Sequence, residues 1–303
     1  MKKDANSDIQ KTRIGIIGTG MLGSAVGLHL LHSGFELTAY NRTTQKTKKL
    51  ESAGAHIVES PKNVAVNSDI VITIVKDADA VSEVSFGKNG IINGIHDDLI
   101  VADMSTIDPF RSKDISAKFA KSGIKKLDIP VMGGPGLAAS GDLIVMVSGD
   151  KNTFERFKKI FKVVGSSVFY LGVEGAAHAV KLAMNLQITM LALSLSEGMI
   201  LVEKSGIKPE AFLEVLNSTY FKTGMSQNKA YKMAQGMYNP TFTLNNLKKD
   251  ITTITGAANA LGIKLPMIEK AGNIYQDAVV GGFGEIDYTG IIAHIKRING
   301  LDK

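Results

Sequence analysis

Gly15-Ile-Ile-Gly-Thr-Gly-Met-Leu-Gly23 decides how this chain folds. An apolar run, Ile14 to Ile17, precedes the glycines, and an apolar-periodic stretch, Met21 to Leu31, follows them. The order is strand, glycine turn, helix. Gly18, Gly20 and Gly23 fill the three glycine positions of G-x-G-x-x-G. The first permits a tight turn. The second lets backbone approach a pyrophosphate with no Cβ in the way, and the third lets the helix pack close to the strand. The helix start adds unpaired N–H groups and the positive end of its dipole. Gly18, Thr19, Gly20, Met21, Leu22 and Gly23 are therefore the expected seat of a dinucleotide.

The next strand, Phe35 to Tyr40, ends in Asn41-Arg42-Thr43. An NAD-selective site places Asp or Glu here to bond the ribose 2′-hydroxyl. No acidic residue stands at these positions. Arg42 can fork onto a 2′-phosphate, Asn41 and Thr43 can hydrogen-bond it, and Lys46 lies one helical turn beyond Arg42. Alone, Arg42 and Lys46 read equally well as solvated charges. Downstream of the glycine fingerprint, they favour NADP(H).

At 303 residues the chain can hold two domains with real cores, and 44% hydrophobic with 21% charged residues is ordinary globular composition. The absence of cysteine excludes disulfides, thiolate metal sites and a cysteine nucleophile. It suits a reducing, cytoplasmic setting. Met1 to Lys11 is polar, with no apolar core for a secretory signal, and reads as a frayed tail. The longest uncharged apolar-rich run, Leu182 to Ser196, is short of a membrane span and is interrupted by Asn185 and Gln187, so no membrane partner is expected. A net charge of +6 suits anionic small ligands. The lysine groups Lys46, Lys48, Lys49, then Lys125, Lys126, then Lys158, Lys159 sit where solvated helices or strand edges are expected. They form no long basic stripe with interleaved aromatics, which argues against nucleic acid. No His, Asp and Glu cluster has metal-ligand spacing, so no metal is expected.

Along the first part, strand-like and helix-like segments alternate. Strands are expected near His56 to Val58, Asp69 to Val75, Leu99 to Asp103, Lys125 to Val131, Leu143 to Ser148 and Val168 to Leu171. Helices are expected over Asp108 to Lys121 and Thr153 to Val164. This alternation predicts a doubly wound parallel sheet, with antiparallel additions late because Gly141-Asp142 is a turn signal. After Gly172 no convincing strand occurs. Ala176 to Lys204 has no proline and a single glycine, and reads as one long helix. Further helices fit Pro209 to Leu216, Leu244 to Ala260, Met267 to Val279 and Tyr288 to Asn299. The expected domains are 1–173 and 174–303, the second all helical.

Lys181 is the sole formal charge between Glu174 and Glu197, on a helix that is apolar nearly all round. A buried lysine has its pKa lowered toward the range of a general acid or base; a lysine snorkelling at the helix start is the plainer reading. Asn185 shares its face one turn on. His178, one turn before Lys181, reads as a hydrogen-bonded core residue. Ser105 and Thr106 follow the Leu99–Asp103 strand, where open parallel sheets place ligands. A helix cap is the competing reading. Met132-Gly133-Gly134-Pro135-Gly136 ends another strand and exposes backbone N–H groups, either as an anion-binding nest or as a tight turn.

These pieces together resemble the β-hydroxyacid dehydrogenase family, from Arg13 to about Ile298. Gly18 to Gly23 with Asn41-Arg42-Thr43 matches the NADP-type cofactor segment. Asp103-Met-Ser-Thr106 with Pro109 resembles the family's D-x-S-T-x-x-P, and Asp128 to Gly134, continuing to Leu143, resembles the substrate loop. His178 to Asn185 carries K-x-x-x-N, and Lys249-Asp250 resembles a late K-D pair. The resemblance implies an N-terminal doubly wound Rossmann domain and an all-α C-terminal domain of the 6-phosphogluconate dehydrogenase type, joined by a long interdomain helix. It implies catalysis by Lys181 and substrate contacts from Ser105, Thr106, Met132, Gly133, Gly134 and Asn185. It adds cofactor contacts from Val75, Lys76, Thr106 and Lys249. One departure stands out: Met132 occupies the place of the family's carboxylate-binding serine. The implied activity is NADP-dependent interconversion of a small hydroxy acid, such as 3-hydroxyisobutyrate, and its semialdehyde or keto form. The alternatives are a 6-phosphogluconate-type decarboxylating dehydrogenase and a non-catalytic NADP-binding protein on the same fold. The long apolar helix also leads to the expectation of a homo-oligomer, dimer or tetramer.

Overall fold

The computed structural model describes residues 11–301, so the tail reading lies outside the described residues except for Lys11. The chain divides into two units after Lys181.

The central strands of the first unit, at 14–17, 70–73 and 100–103, are buried on both faces, which is why they read as apolar runs rather than alternating ones. Ile14, Ile16, Ile70, Ile72, Ile100 and Ala102 point into one layer of core, while Ile17, Val71 and Val101 point into the other. The elements run β1 (Ile14–Ile17), α1 (Met21–His32), β2 (Leu37–Tyr40), α2 (Lys48–Ser52), β3 (His56–Ile57), α3 (Pro61–Val66), β4 (Ile70–Thr73), α4 (Ala78–Phe86), β5 (Ile100–Asp103), α5 (Pro109–Ala120) and β6 (Lys125–Asp128). There follow β7 (Val131–Met132), α6 (Pro135–Ser140), β8 (Ile144–Gly149), α7 (Lys151–Val164) and β9 (Ser167–Tyr170). The sheet order is β3-β2-β1-β4-β5-β6-β8-β7, with β9 on β8. The first part, 3-2-1-4-5-6, is the parallel dinucleotide-binding order, whose switch point lies between β1 and β4. β8 runs antiparallel to both β6 and β7, as Gly141-Asp142 foretold.

The expected strand Lys125 to Val131 is two strands, because Ile129 and Pro130 carry the chain off β6 before β7 pairs with β8. The glycine-rich stretch after Met132 is not an open loop. Gly133 takes a left-handed φ of 123° and Gly134 is the N-cap of α6.

Helix α8 (Ala176–Lys204) has the expected bounds and runs on into the second unit. That unit is helical: α9 (Pro209–Ser218), α10 (Gly224–Asn228), α11 (Ala230–Ala234), α12 (Leu244–Ala260), α13 (Pro266–Ala278) and α14 (Ile291–Ile298). The run Leu182 to Ser196 falls short of a membrane span, but the whole helix, at 29 residues, is long and apolar enough. Its Ala192, Leu193, Leu195, Met199 and Ile200 lie in the core of the second unit, a setting in which a core helix passes the same test.

Candidate active site

The glycine turn is built as its residue types require. Gly18 has φ 101°, and a Cβ there would lie 2.1 Å from the Ile74 carbonyl oxygen. A Cβ on Gly23 would lie 2.0 Å from the Gly18 carbonyl oxygen. Both are therefore glycine because the protein itself leaves no room. Gly20 is different: its φ is −70° and nothing lies within 4 Å of an added Cβ. Met21 is exposed and Leu22 half-buried beside it.

Asn41 braces the loop at the end of β2. Its side-chain oxygen accepts from the Thr19 N–H at 3.1 Å, and its amide donates to the Thr43 carbonyl at 2.9 Å. Buried Thr19 donates through its hydroxyl to the Lys46 carbonyl at 3.0 Å. The glycine turn and the β2 loop are thus one brace, with the side chains of Arg42, Thr43 and Lys46 exposed.

Beyond β4 and β5, buried Ser105 ties the strand ends together. Its hydroxyl accepts from the Val75 N–H at 3.0 Å and its N–H donates to Asp103 at 3.1 Å. The helix-cap reading fails for Ser105 and Thr106, because Asp108 caps α5 by accepting from Phe110 and Arg111. Thr106 and Val75 are half-buried and Lys76 is exposed on this edge.

Lys181 closes the first unit. It is half-buried, and its ammonium donates to the Met132 sulfur at 3.2 Å. The helix around it is not buried all round. Ala177, His178, Leu182 and Asn185 are buried, while Val180 and Met184 are 39% and 40% exposed. A helix packed along one side keeps such a free stripe whatever its composition.

In the second unit, fully buried Asn185 donates its amide to Asp250 at 2.6 Å, clamping α8 to α12. Asp250 also pairs with Lys249. Lys181 and Met132 are therefore together in one unit, and Asn185 and Lys249 meet at Asp250 in the other.

The structure adds a buried cluster that sequence reasoning missed. Asp103 and Asp128 are register partners on β5 and β6. Lys126, expected at a solvated edge, is 4% exposed, since it shares a strand face with Asp128 and pairs with it. Burial pushes the Asp128 carboxyl up, but Lys126 and His178 outweigh it and hold the group well below the usual carboxylate range. His178 is buried in the core as expected, but neither ring nitrogen makes a well-formed hydrogen bond: Nε2 lies 3.3 Å from Asp128 and 3.8 Å from Asp103 as a close contact.

Comparison with known proteins places this arrangement. Residues 13–172 match the NAD binding domain of 6-phosphogluconate dehydrogenase, and residues 175–295 match the NAD-binding family of NADP-dependent 3-hydroxyisobutyrate dehydrogenase. The chain belongs to the β-hydroxyacid dehydrogenase family. Glyoxylate/succinic semialdehyde reductase 1 of Arabidopsis thaliana is 30% identical over 283 residues, 93% of this chain and 98% of its own. The uncharacterised oxidoreductase YfjR of Bacillus subtilis is 33% identical over 286 residues, 94% of this chain and 100% of its own. The solved 3-hydroxyisobutyrate dehydrogenase of Salmonella typhimurium superposes with a TM-score of 0.84 at 26% identity, covering 93% of this chain and 99% of that one.

As a β-hydroxyacid dehydrogenase, the chain is an NAD(P)-dependent oxidoreductase, and its cofactor is a nicotinamide dinucleotide. The residues present fit that group. Open space at Gly20 leaves its lack of a side chain unexplained by the protein's own packing, and a pyrophosphate drawn close to the turn explains it.

Proposed function

We propose that this β-hydroxyacid dehydrogenase uses NADPH to interconvert a small hydroxy acid of the 3-hydroxyisobutyrate kind and its semialdehyde or keto form. The observation that carries the reading is the Lys181 ammonium, half-buried at the first unit's edge and touching Met132. The bound nicotinamide supplies and accepts the hydride. Lys181 gives a proton or a strong hydrogen bond to the carbonyl oxygen during reduction and takes it back during oxidation. Ser105, Thr106, Met132 and the backbone N–H groups of Gly133 and Gly134 orient the substrate, with Asn185 contributing from the helix that carries Lys181. Thr106, Val75, Lys76 and Lys249 contact the cofactor. A cytoplasmic homo-oligomer belongs to the same reading, and the exposed Val180, Met184 and Leu201 of α8 support it. Carbonyl-dependent NADPH oxidation across a panel of small aldehydes and keto acids tests the reading. Release of carbon dioxide would instead mark a decarboxylating enzyme.

Cofactor choice rests on Arg42, exposed at the end of β2 with no carboxylate among its neighbours Asn41 and Thr43. NADPH is expected to be preferred to NADH by about tenfold or more, since one charge-assisted hydrogen bond contributes roughly 1.5–3 kcal/mol. Arg42→Asp should abolish or reverse that preference. Dissociation constants for both cofactors check it, and equal affinities in the unaltered protein would contradict the assignment.

Met132 bears on the substrate. A thioether has no hydrogen to donate to a substrate carboxylate, but it offers apolar contact. Met132→Ser is expected to weaken kcat/KM for the best substrate by roughly fourfold to fifteenfold, the value of about one to two buried methylenes. A gain for every carboxylate substrate with no loss elsewhere would show that Met132 does not pack on substrate.

A further inference from the structure

The first turn of α8 is held by side chains from the sheet. A helix start leaves N–H groups with no partner inside the helix. Here the Gly175 N–H, just ahead of α8, donates to Asp128 at 2.6 Å, and the Ala177 N–H donates to the Ser148 hydroxyl at 3.1 Å. Ser148 in turn donates to Asp128 at 3.0 Å. The carboxylate charge also complements the positive end of the helix dipole. One residue beyond Ala177, the His178 ring reaches the same carboxylate at 3.3 Å and Asp103 at 3.8 Å. Asp103 is fixed by the Thr73 hydroxyl at 2.8 Å and the Ser105 N–H at 3.1 Å. Lys126 and Ser112 complete the shell around Asp128.

We propose that Asp128, His178 and Asp103 are positioning residues for Lys181: they fix the first turn of α8 to the carboxyl ends of β5 and β6, and so set where the lysine ammonium sits. His178, Asp103 and Asp128 are each 0–1% exposed, so they act on substrate only through other groups. Lys181 lies one helical turn after His178, on the same face. A slip of α8 by a single residue would move that turn by about 1.5 Å and rotate it by about 100°. A displacement of about 1 Å at a reacting group can lower a rate roughly a hundredfold. The same network ends on Ser105 and, through it, on the Val75 N–H. It therefore couples the helix carrying Lys181 to the loops after β4 and β5.

The proposal rests on Lys181 as the proton donor, and its test has one readout that does not. His178→Leu removes the ring; His178→Gln keeps a polar side chain facing Asp128. Four quantities are measured in each: kcat, KM, the NADPH dissociation constant, and the rate at which trinitrobenzenesulfonate labels Lys181, read by peptide mass. His178→Leu is expected to lower kcat by roughly ten- to hundredfold, to leave the NADPH constant within about threefold, and to change the Lys181 labelling rate severalfold. His178→Gln should restore most of both. A folded His178→Leu protein with unchanged kcat and labelling overturns the proposal, as does a kcat that falls only with the folded fraction. If His178→Leu does not fold, Ser148→Ala removes one helix contact; a change in kcat and labelling supports the proposal, and none overturns it. If the unaltered protein turns over no carbonyl, the proposed reaction fails while the labelling comparison still decides the positioning.

Discussion

Lys181→Ala is expected to lower turnover by roughly 10²–10⁴-fold, the usual contribution of a positioned general acid, while the fold and NADPH binding remain. Fold should persist because Lys181 is half-buried rather than part of the core, and Met132, which its ammonium touches, remains in place. Removing it leaves buried Asp128 still paired with Lys126. NADPH binding should persist because the glycine turn and the β2 loop are braced by Thr19 and Asn41. Single-turnover rates with saturating NADPH, together with thermal unfolding, check both halves. Near-normal turnover in Lys181→Ala would make the lysine a snorkelling surface residue and send the search for the acid elsewhere.

The second large effect is a contrast between two glycines of one turn. Gly20→Ala is expected to leave stability within about 1 kcal/mol, because Gly20 is an N-cap with open space around it. It should weaken NADPH binding by about tenfold or more, equivalent to about 1.4 kcal/mol per tenfold, since the new methyl group stands where the pyrophosphate is expected. Gly23→Ala should do the reverse first. Its Cβ would meet the Gly18 carbonyl oxygen at 2.0 Å, backbone against backbone. A loss of about 1–3 kcal/mol of stability is expected from such overpacking. Paired thermal unfolding and NADPH titration separate the two. Unchanged NADPH affinity in Gly20→Ala would mean that the turn does not seat the cofactor.

Much of the architecture was legible because burial on both faces writes itself into sequence. Ile14 to Ile17 and Leu99 to Asp103 are apolar runs too short for helices, and they became β1 and β5. The bounds of α8 followed from the lack of proline between Ala176 and Lys204. Helices α3 and α4 escaped notice because six and nine residues give too little periodicity. Helix α6 was hidden by its glycines and proline, which are turn formers as well as helix-start residues.

The candidate site was legible in its parts and not in its connections. Lys181, Met132 and Ser105 each announced themselves by residue type and position. Lys126 did not, since a lysine beside another lysine reads as solvated. Lys126 and Asp128, two apart on a strand, share a face, and this was the available signal for their pairing. Asp103 joined them once β5 and β6 were in register. The buried bond from Asn185 to Asp250 was not legible, because it depends on where α12 packs, which no local pattern encodes.

The account stands or falls on carbonyl reduction by the reduced cofactor. The direct measurement is the loss of NADPH absorbance when the protein meets glyoxylate, succinic semialdehyde, methylmalonate semialdehyde, tartronate semialdehyde and uncharged aldehydes in turn, with the alcohol product quantified. The account predicts that at least one small carbonyl acid oxidises NADPH one for one with alcohol formed, and faster than it oxidises NADH. A protein that binds NADPH but oxidises it with no member of the panel would contradict it.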